Sequence, residues 1–253
     1  MQNEVFLSVV IPSYNEKQNL ERHVLEEVIE YLTKQDYEWE VVLSDDGSKD
    51  GSLVELEAFA RKHPKVQLLK NAHRGKAATV TAGMLAARGQ WRLFTDFDQS
   101  TPLKEIRKLL PYIKQDYEVI IGSREMIGAQ RNEEPWYRHL MGRVFNIVVQ
   151  IMTVPGLLDT QCGFKLFSSR AAETLFPKLL VYGHQKHRQD AFTGAFDVEL
   201  LFLANKLGFA IREVPIHWVH HQTNRVSPIK DSLRMFWDIA KVRMAFWQGK
   251  YKT

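Results

Sequence analysis

Leu7-Ser-Val-Val-Ile11, followed at once by Pro12-Ser-Tyr-Asn-Glu16, is the stretch from which the fold can be read. Five residues rich in β-branched and aliphatic side chains, closed by a proline, read as a short buried strand. Asn15 and Glu16 then open a helix with apolar positions at Leu20, Val24, Val28 and Leu32, the spacing of a helix that buries one face. The unit recurs. Trp39 to Ser44 is a strand running into Asp45-Asp46-Gly47-Ser48, with a helix to about Lys62. Val66 to Lys70 is the third strand, and the loop Asn71 to Lys76 leads into a helix from Ala77 to Arg88. Trp91 to Thr95 is the fourth, ending on Asp96-Phe97-Asp98. Alternating strands and helices predict an α/β, Rossmann-like fold: a mostly parallel sheet flanked by helices, with ligands at the carboxyl ends of its strands. Three polar clusters fall at those ends and therefore on one rim.

The second half is less regular. Val119 to Gly122 reads as a strand, and Trp136 to Met152 as an apolar helix with one polar stripe, His139, Arg143, Asn146 and Gln150. Asp159-Thr-Gln-Cys-Gly-Phe-Lys-Leu-Phe167 follows, then a polar loop around Gly183 to Asp190 and Ala195-Phe-Asp-Val-Glu199 opening a helix. Ile211 to Trp218 is a late strand, and Pro228 starts a final helix.

The 253 residues are 45% hydrophobic and 25% charged, enough to bury one large α/β core. A net charge of +4 suits a phosphate-bearing partner or an anionic membrane surface, and is too mild for a nucleic-acid partner. A single cysteine, Cys162, excludes an intrachain disulfide and reads as a small buried residue. His184 and His187 lie among Gln, Lys, Arg and Asp, which reads as a solvated loop. The chain enters its first strand within a few residues of Met1, so no signal peptide is expected. No run reaches the roughly 20 apolar residues of a membrane span, so none is expected.

The strongest chemical signal is Asp96-x-Asp98. Two carboxylates one residue apart, where the chain leaves the sheet, can converge on a hard divalent cation that keeps positions open for diphosphate oxygens. Asp45 and Asp46 offer acceptors for a nucleobase N–H or ribose hydroxyls, and equally a helix cap and turn.

In order, Ile11-Pro-Ser-Tyr-Asn-Glu16, Asp45-Asp-Gly-Ser48, Arg74-Gly-Lys76, Asp96-Phe-Asp98 and Gly122-Ser-Arg124 resemble the family 2 glycosyltransferases of the GT-A fold. Asp159 to Phe167, Phe196-Asp-Val-Glu199 and Glu213-Val-Pro-Ile-His-Trp218 resemble the dolichyl-phosphate β-glucosyltransferases and their prokaryotic polyprenyl-phosphate relatives. That resemblance covers nearly the whole chain, from about Ser8 to Tyr251. It implies a GT-A domain over residues 1–227, with a nucleotide-sugar half (1–98) and an acceptor half (99–227), and an amphipathic helix over 228–253. It also implies that Pro12, Tyr14, Glu16, Asp45 and Asp46 hold the nucleoside and that Lys76 approaches base or phosphate. Asp96 and Asp98 would bind Mg²⁺ or Mn²⁺, with Phe97 narrowing the sugar pocket and Arg124 near the sugar or diphosphate. Lys165 and Arg225 are the expected contacts to the acceptor phosphate. Asp159, Asp197 and Glu199 are candidates for a base or for orienting those cations, with a structural pairing of Asp159 to Lys165 or Arg170 as the other reading. Three features depart from the family pattern: the bulky Phe97, Gly194 where tryptophan is common, and an insertion over 183–190.

The implied reaction is inverting transfer of glucose from UDP-glucose to a polyprenyl or dolichyl phosphate. GDP-mannose, UDP-GlcNAc or UDP-glucuronate as donor, polysaccharide extension, and a silent nucleotide-sugar-binding protein remain alternatives. The final helix carries two apolar stripes: Ile229, Leu233, Phe236, Ala240, Met244 and Trp247 form one, and Met235, Ile239, Val242 and Phe246 the other. One stripe suffices for packing, so the second, near Arg234, Lys241 and Arg243, is expected at a membrane surface or a partner, the other reading being burial on both sides, in the monomer or in an oligomer interface. The expected location is cytoplasmic, peripheral on the membrane.

Overall fold

A computed structural model describes residues 4–132, 150, 152–182, 196–219 and 228–251. Most of the helix expected over 136–152, the insertion 183–190 with His184 and His187, Gly194 and Arg225 lie outside the described residues. The described chain begins β1 (Leu7–Ser13), α1 (Lys17–Glu21), α2 (Val24–Thr33), β2 (Trp39–Asp45), α3 (Ser52–Lys62), β3 (Val66–Lys70), α4 (Lys76–Ala86) and β4 (Trp91–Thr95). It continues with α5 (Ile106–Leu109), β5 (Val119–Ser123), β6 (Gln130–Asn132), β7 (Phe164–Ser168), α6 (Ser169–Leu175), α7 (Phe196–Lys206), β8 (Ile211–Pro215), β9 (His217–Val219) and α8 (Pro228–Trp247).

Seven strands form one sheet in the order β3-β2-β1-β4-β7-β5-β8. All run parallel except β7, which is antiparallel to both β4 and β5. The reversal has a consequence for the site. The amino end of β7 shares a rim with the carboxyl ends of β1, β2, β4 and β5, so Cys162 and Gly163 come beside Asp96 and Arg124. Alternation along each strand builds a separate core on each face. Val10, Phe94 and Phe167 pack under α4, α6, α7 and α8, while Val9, Ile11, Leu93 and Leu166 pack under α2, α3 and α5. Phe196 to Ala204 are buried without interruption, so α7 is a core helix covered all round.

Several local expectations change. β1 continues through Pro12 to Ser13, paired to β2, because Pro12 lies beyond Val10, where pairing with β4 ends. The helix expected from Asn15 to Leu32 is two helices, broken where His23 adopts a left-handed φ of 58°. Val24, Leu25, Val28 and Leu32 carry the buried face, and α1 buries none of its residues. The late strand also divides. After Pro215 the chain leaves the main sheet, and β9 pairs with β6 in a second, two-stranded sheet.

Candidate active site

The rim is assembled by carboxylates that shape loops before any ligand is considered. Asp45 accepts from the Gly47 and Ser48 amides and from Ser48 Oγ, at 2.9, 2.9 and 2.5 Å. Gly47 turns there with φ +75°, which a side chain would strain. Asp46 accepts from the Arg74 and Gly75 amides at 2.8 and 2.9 Å and from His73 Nδ1 at 2.8 Å. Both carboxylates are buried, and these bonds commit most of their acceptor capacity to the turn and to the loop 71–76. The turn-forming role expected as the alternative is thus present in both. The loop they fix lays the His73 ring on Tyr14, with centroids 4.3 Å apart and planes 8° from parallel. Buried Glu16 accepts from the Asn19 side chain at 2.5 Å, and Pro12 is buried within β1.

The same loop delivers Lys76, whose Nζ lies 2.5 Å from Asp96 Oδ1. Burial works against the ammonium's charge, but Asp96, Asp197 and Asp98 together raise its pKa above the ordinary value. Asp98 accepts from the Ser100 amide at 2.9 Å through Oδ1. Phe97 is 3% exposed and packs in the core beneath α2 and α5, so it does not narrow a sugar pocket. It anchors the turn from below. Two carboxylates on an anchored turn, one already drawn to a cation, are a hard-oxygen donor set that suits a divalent ion once diphosphate oxygens complete the shell. Among the described residues no third acidic, histidine or cysteine ligand joins them.

Beyond β7 stands a second charged layer. Arg124 holds Asp159 by three contacts, from its amide, Nε and Nη2, at 2.9, 2.7 and 2.9 Å. Burial pushes the Asp159 carboxyl up, and Arg124 outweighs it, holding the pKa at about 2. Arg124 also lies 5.4 Å over the Trp218 ring, and Glu213 accepts from the amides of Leu158 and Asp159. Asp159 is therefore an orienter of Arg124, a pairing that neither Lys165 nor Arg170 makes. Arg170 is engaged by Glu118.

Two expected assignments, Lys165 and Glu199, fail on geometry, and Asp197 keeps only its second reading. Lys165 is fully buried, its ammonium donating to the Cys162 carbonyl and to Asp197 Oδ1, so it does not face an acceptor phosphate. Asp197 orients a cation, one of its two expected roles, as that ammonium's buried counter-charge; burial raises its pKa against the pull of Lys165 and Lys76. Glu199 accepts from the amides of Leu180, Val181 and Tyr182 and from Tyr251 Oη. It ties α7 to two other segments and is not a base at the rim. Cys162 is inert as expected, buried with its thiol pushed up to about 12. His73, Trp218 and Glu213 were not among the expected site residues. The only sequence signal for His73 was its place in the loop after β3.

Among the described side chains of the final helix, those from 234 onward, the two stripes exchange their expected roles. Ile239 and Val242 are 1% exposed and Phe246 packs edge-on against Phe202 of α7, because this stripe closes the core. The face left in solvent bears Phe236, Trp237, Met244 and Trp247, with Trp237 64% and Trp247 71% exposed. Arg243 lies 5.4 Å over the Trp247 ring.

Sheet order, strand-end acid pair and flanking cations define a GT-A glycosyltransferase. The chain belongs to glycosyl transferase family 2, whose sequence model matches residues 8–176. It is 33% identical to a dolichyl-phosphate beta-glucosyltransferase of Dictyostelium discoideum, over 99% of this chain and 77% of that protein. It is likewise 33% identical to the enzyme of that name from Saccharomyces cerevisiae, over 98% of this chain and 77% of that one. Among solved structures, glucosyl-3-phosphoglycerate synthase from Mycobacterium tuberculosis with Mn²⁺, UDP and glucosyl-3-phosphoglycerate superimposes with a TM-score of 0.66. That likeness has 16% identity and spans 95% of this chain and 80% of that one.

Proposed function

We propose that this glycosyltransferase moves glucose from UDP-glucose to the phosphate of a dolichyl or other polyprenyl lipid, with inversion at the anomeric carbon. The observation that carries the reading is the placement of the Lys76–Asp96 pair and Asp98 on the same rim as Arg124, in a chain whose relatives carry the dolichyl-phosphate glucosyltransferase name. A phosphate monoester is largely ionised at neutral pH, so its oxygen attacks the anomeric carbon without a strong base. The new bond is phosphate oxygen to carbon; the bond that breaks joins the anomeric carbon to the donor diphosphate, which leaves with the electron pair. A Mg²⁺ or Mn²⁺ ion held by Asp96 and Asp98 supplies positive charge to that diphosphate when bound. Lys76 adds a fixed cation beside it, and Arg124, oriented by Asp159, is the described cation best placed to contact a second phosphate. Tyr14 and His73 offer a planar surface for the base.

The acceptor's phosphate lies at the headgroup level of a membrane. We place the enzyme peripherally on the cytoplasmic face, with the aromatic and basic outer face of α8 against the lipid. No described helix is long and apolar enough to cross a membrane. The test is transfer of labelled sugar from UDP-glucose, GDP-mannose, UDP-GlcNAc and UDP-glucuronate to dolichyl phosphate, with Mg²⁺, Mn²⁺ or EDTA. UDP-glucose is expected to lead by at least tenfold, roughly the discrimination that one unmatched polar contact gives; a guanine donor in first place overturns the reading.

A further inference from the structure

We infer that Gly163 is a positioning residue for Asp96: the missing side chain at 163 is the space in which the Asp96 carboxylate stands. This rests on the reading of Asp96 as a ligand of a divalent cation and diphosphate. A Cβ built on Gly163 would lie 2.0 Å from Asp96 Oδ2, 2.3 Å from its Cγ and 2.7 Å from Oδ1. Real Cβ atoms essentially never come within 3.0 Å of another heavy atom. All three of its nearest neighbours belong to one carboxylate, so the contact is specific to that group.

Backbone conformation does not explain the glycine. Gly47, Gly51 and Gly75 have positive φ, and Gly163 does not. Nor can the clash be relieved by sliding the segment. The Asp96 amide donates to the Gly163 carbonyl at 3.1 Å, one step beyond the Thr95–Phe164 pair that begins the β4–β7 ladder. On one side, the carbonyl of buried Cys162 is held by Lys165; on the other, Phe164 is fully buried. A methyl group at 163 must therefore displace the carboxylate, and that movement takes Asp96 Oδ1 away from Lys76 and out of register with Asp98. The antiparallel β7 in an otherwise parallel sheet brings this glycine to the rim.

The test is a double-mutant cycle on the full chain without donor, read by thermal unfolding. Gly163→Ala is expected to lower Tm beside Asp96 and to have little effect in an Asp96→Ala background, where the clashing atoms are gone. Mn²⁺ titration in the presence of UDP supplies the second readout. Gly163→Ala is expected to weaken Mn²⁺ binding by roughly 10–100-fold, the range seen when groups supporting a metal ligand are disturbed. Weakened Mn²⁺ binding with an unchanged Tm supports the inference as well, since the carboxylate has then swung aside at little cost. If Gly163→Ala does not fold, recovery of folding in Gly163→Ala/Asp96→Ala supports it, and failure to recover overturns it. Equal Tm losses in both backgrounds overturn it, as does a Gly163→Ala protein with unchanged Tm and unchanged Mn²⁺ binding. If the wild type itself takes up no Mn²⁺, the metal reading fails separately, and the Tm cycle alone decides the role of Gly163.

Discussion

Lys76 Nζ and Asp96 Oδ1 stand 2.5 Å apart, so the loop after β3 places a fixed cation on the first carboxylate of the D-x-D turn. This ion pair links the loop whose His73 stacks on Tyr14 to the strand end where a diphosphate would lie. Lys76→Met should reduce kcat/KM for the donor by about 10–100-fold, the cost of a charge-assisted hydrogen bond of roughly 1.5–3 kcal/mol. Steady-state kinetics with varied donor checks it, and Lys76→Arg is expected to recover part of the loss. Unchanged kcat/KM in the Met variant would remove Lys76 from the donor site.

Asp98→Asn should fold normally, because its described backbone contact, the Ser100 amide, needs only an oxygen acceptor. Its transfer activity and its metal-dependent donor binding should nevertheless fall by at least about tenfold, since a neutral amide is a poor ligand for a hard cation. Calorimetric titration of donor with and without Mn²⁺ reads this. Full wild-type turnover in excess EDTA would refute the metal assignment.

Asp159 yields a pH dependence with a definite sign. Its pKa is depressed from 3.8 to about 2 in the folded protein, so its stabilising contribution is present above about pH 4 and disappears as pH falls through about 2. The shift corresponds to roughly 2 kcal/mol. Urea unfolding of wild type and Asp159→Asn should differ by about that much at neutral pH, and the gap should close toward pH 2. A gap independent of pH would mean that the Arg124 pairing does not set the stability difference.

Glu199 separates a structural role from a catalytic one. Glu199→Gln places an NH₂ group among donors and should destabilise the fold by about 1–3 kcal/mol. Tyr251→Phe removes one of the same bonds and should cost about 1 kcal/mol. In both variants the folded fraction should keep a kcat within a few-fold of wild type. A large fall in kcat without a fall in Tm would return Glu199 to the list of candidate bases.

The outer face of α8 can be tested against its inner face. Trp237→Ser with Trp247→Ser should leave Tm near wild type, because both rings are mostly in solvent, and should weaken binding to anionic phosphatidylserine liposomes several-fold. Ile239→Ser should instead lower Tm sharply, because a polar group then enters the α7–α8 core. Loss of an oligomer in the double tryptophan variant, with liposome binding intact, would identify that face as a subunit contact.

The alternation of β-branched runs with one-sided helices determined the α/β class, and Asp96 and Asp98 were legible as a strand-end pair because these signals are local. Period 2, period 3.6 and the residues that follow a strand are all written within about fifteen positions. Burial and pairing across the sheet were not. Lys165 and Asp197 looked like surface chemistry until α7, buried from Phe196 to Ala204, brought Asp197 into the core beside Lys165; Asp159 found its cation 35 residues away in Arg124. The two stripes of α8 are equally apolar on paper, and only the position of Phe202 on α7 decided which one is core. Gly163 was legible only as one letter of the Asp159 to Phe167 string, with no role of its own. Its meaning arises because β7, antiparallel to both its neighbours, brings it against Asp96, 67 positions away, and steric exclusion acts between neighbours in space.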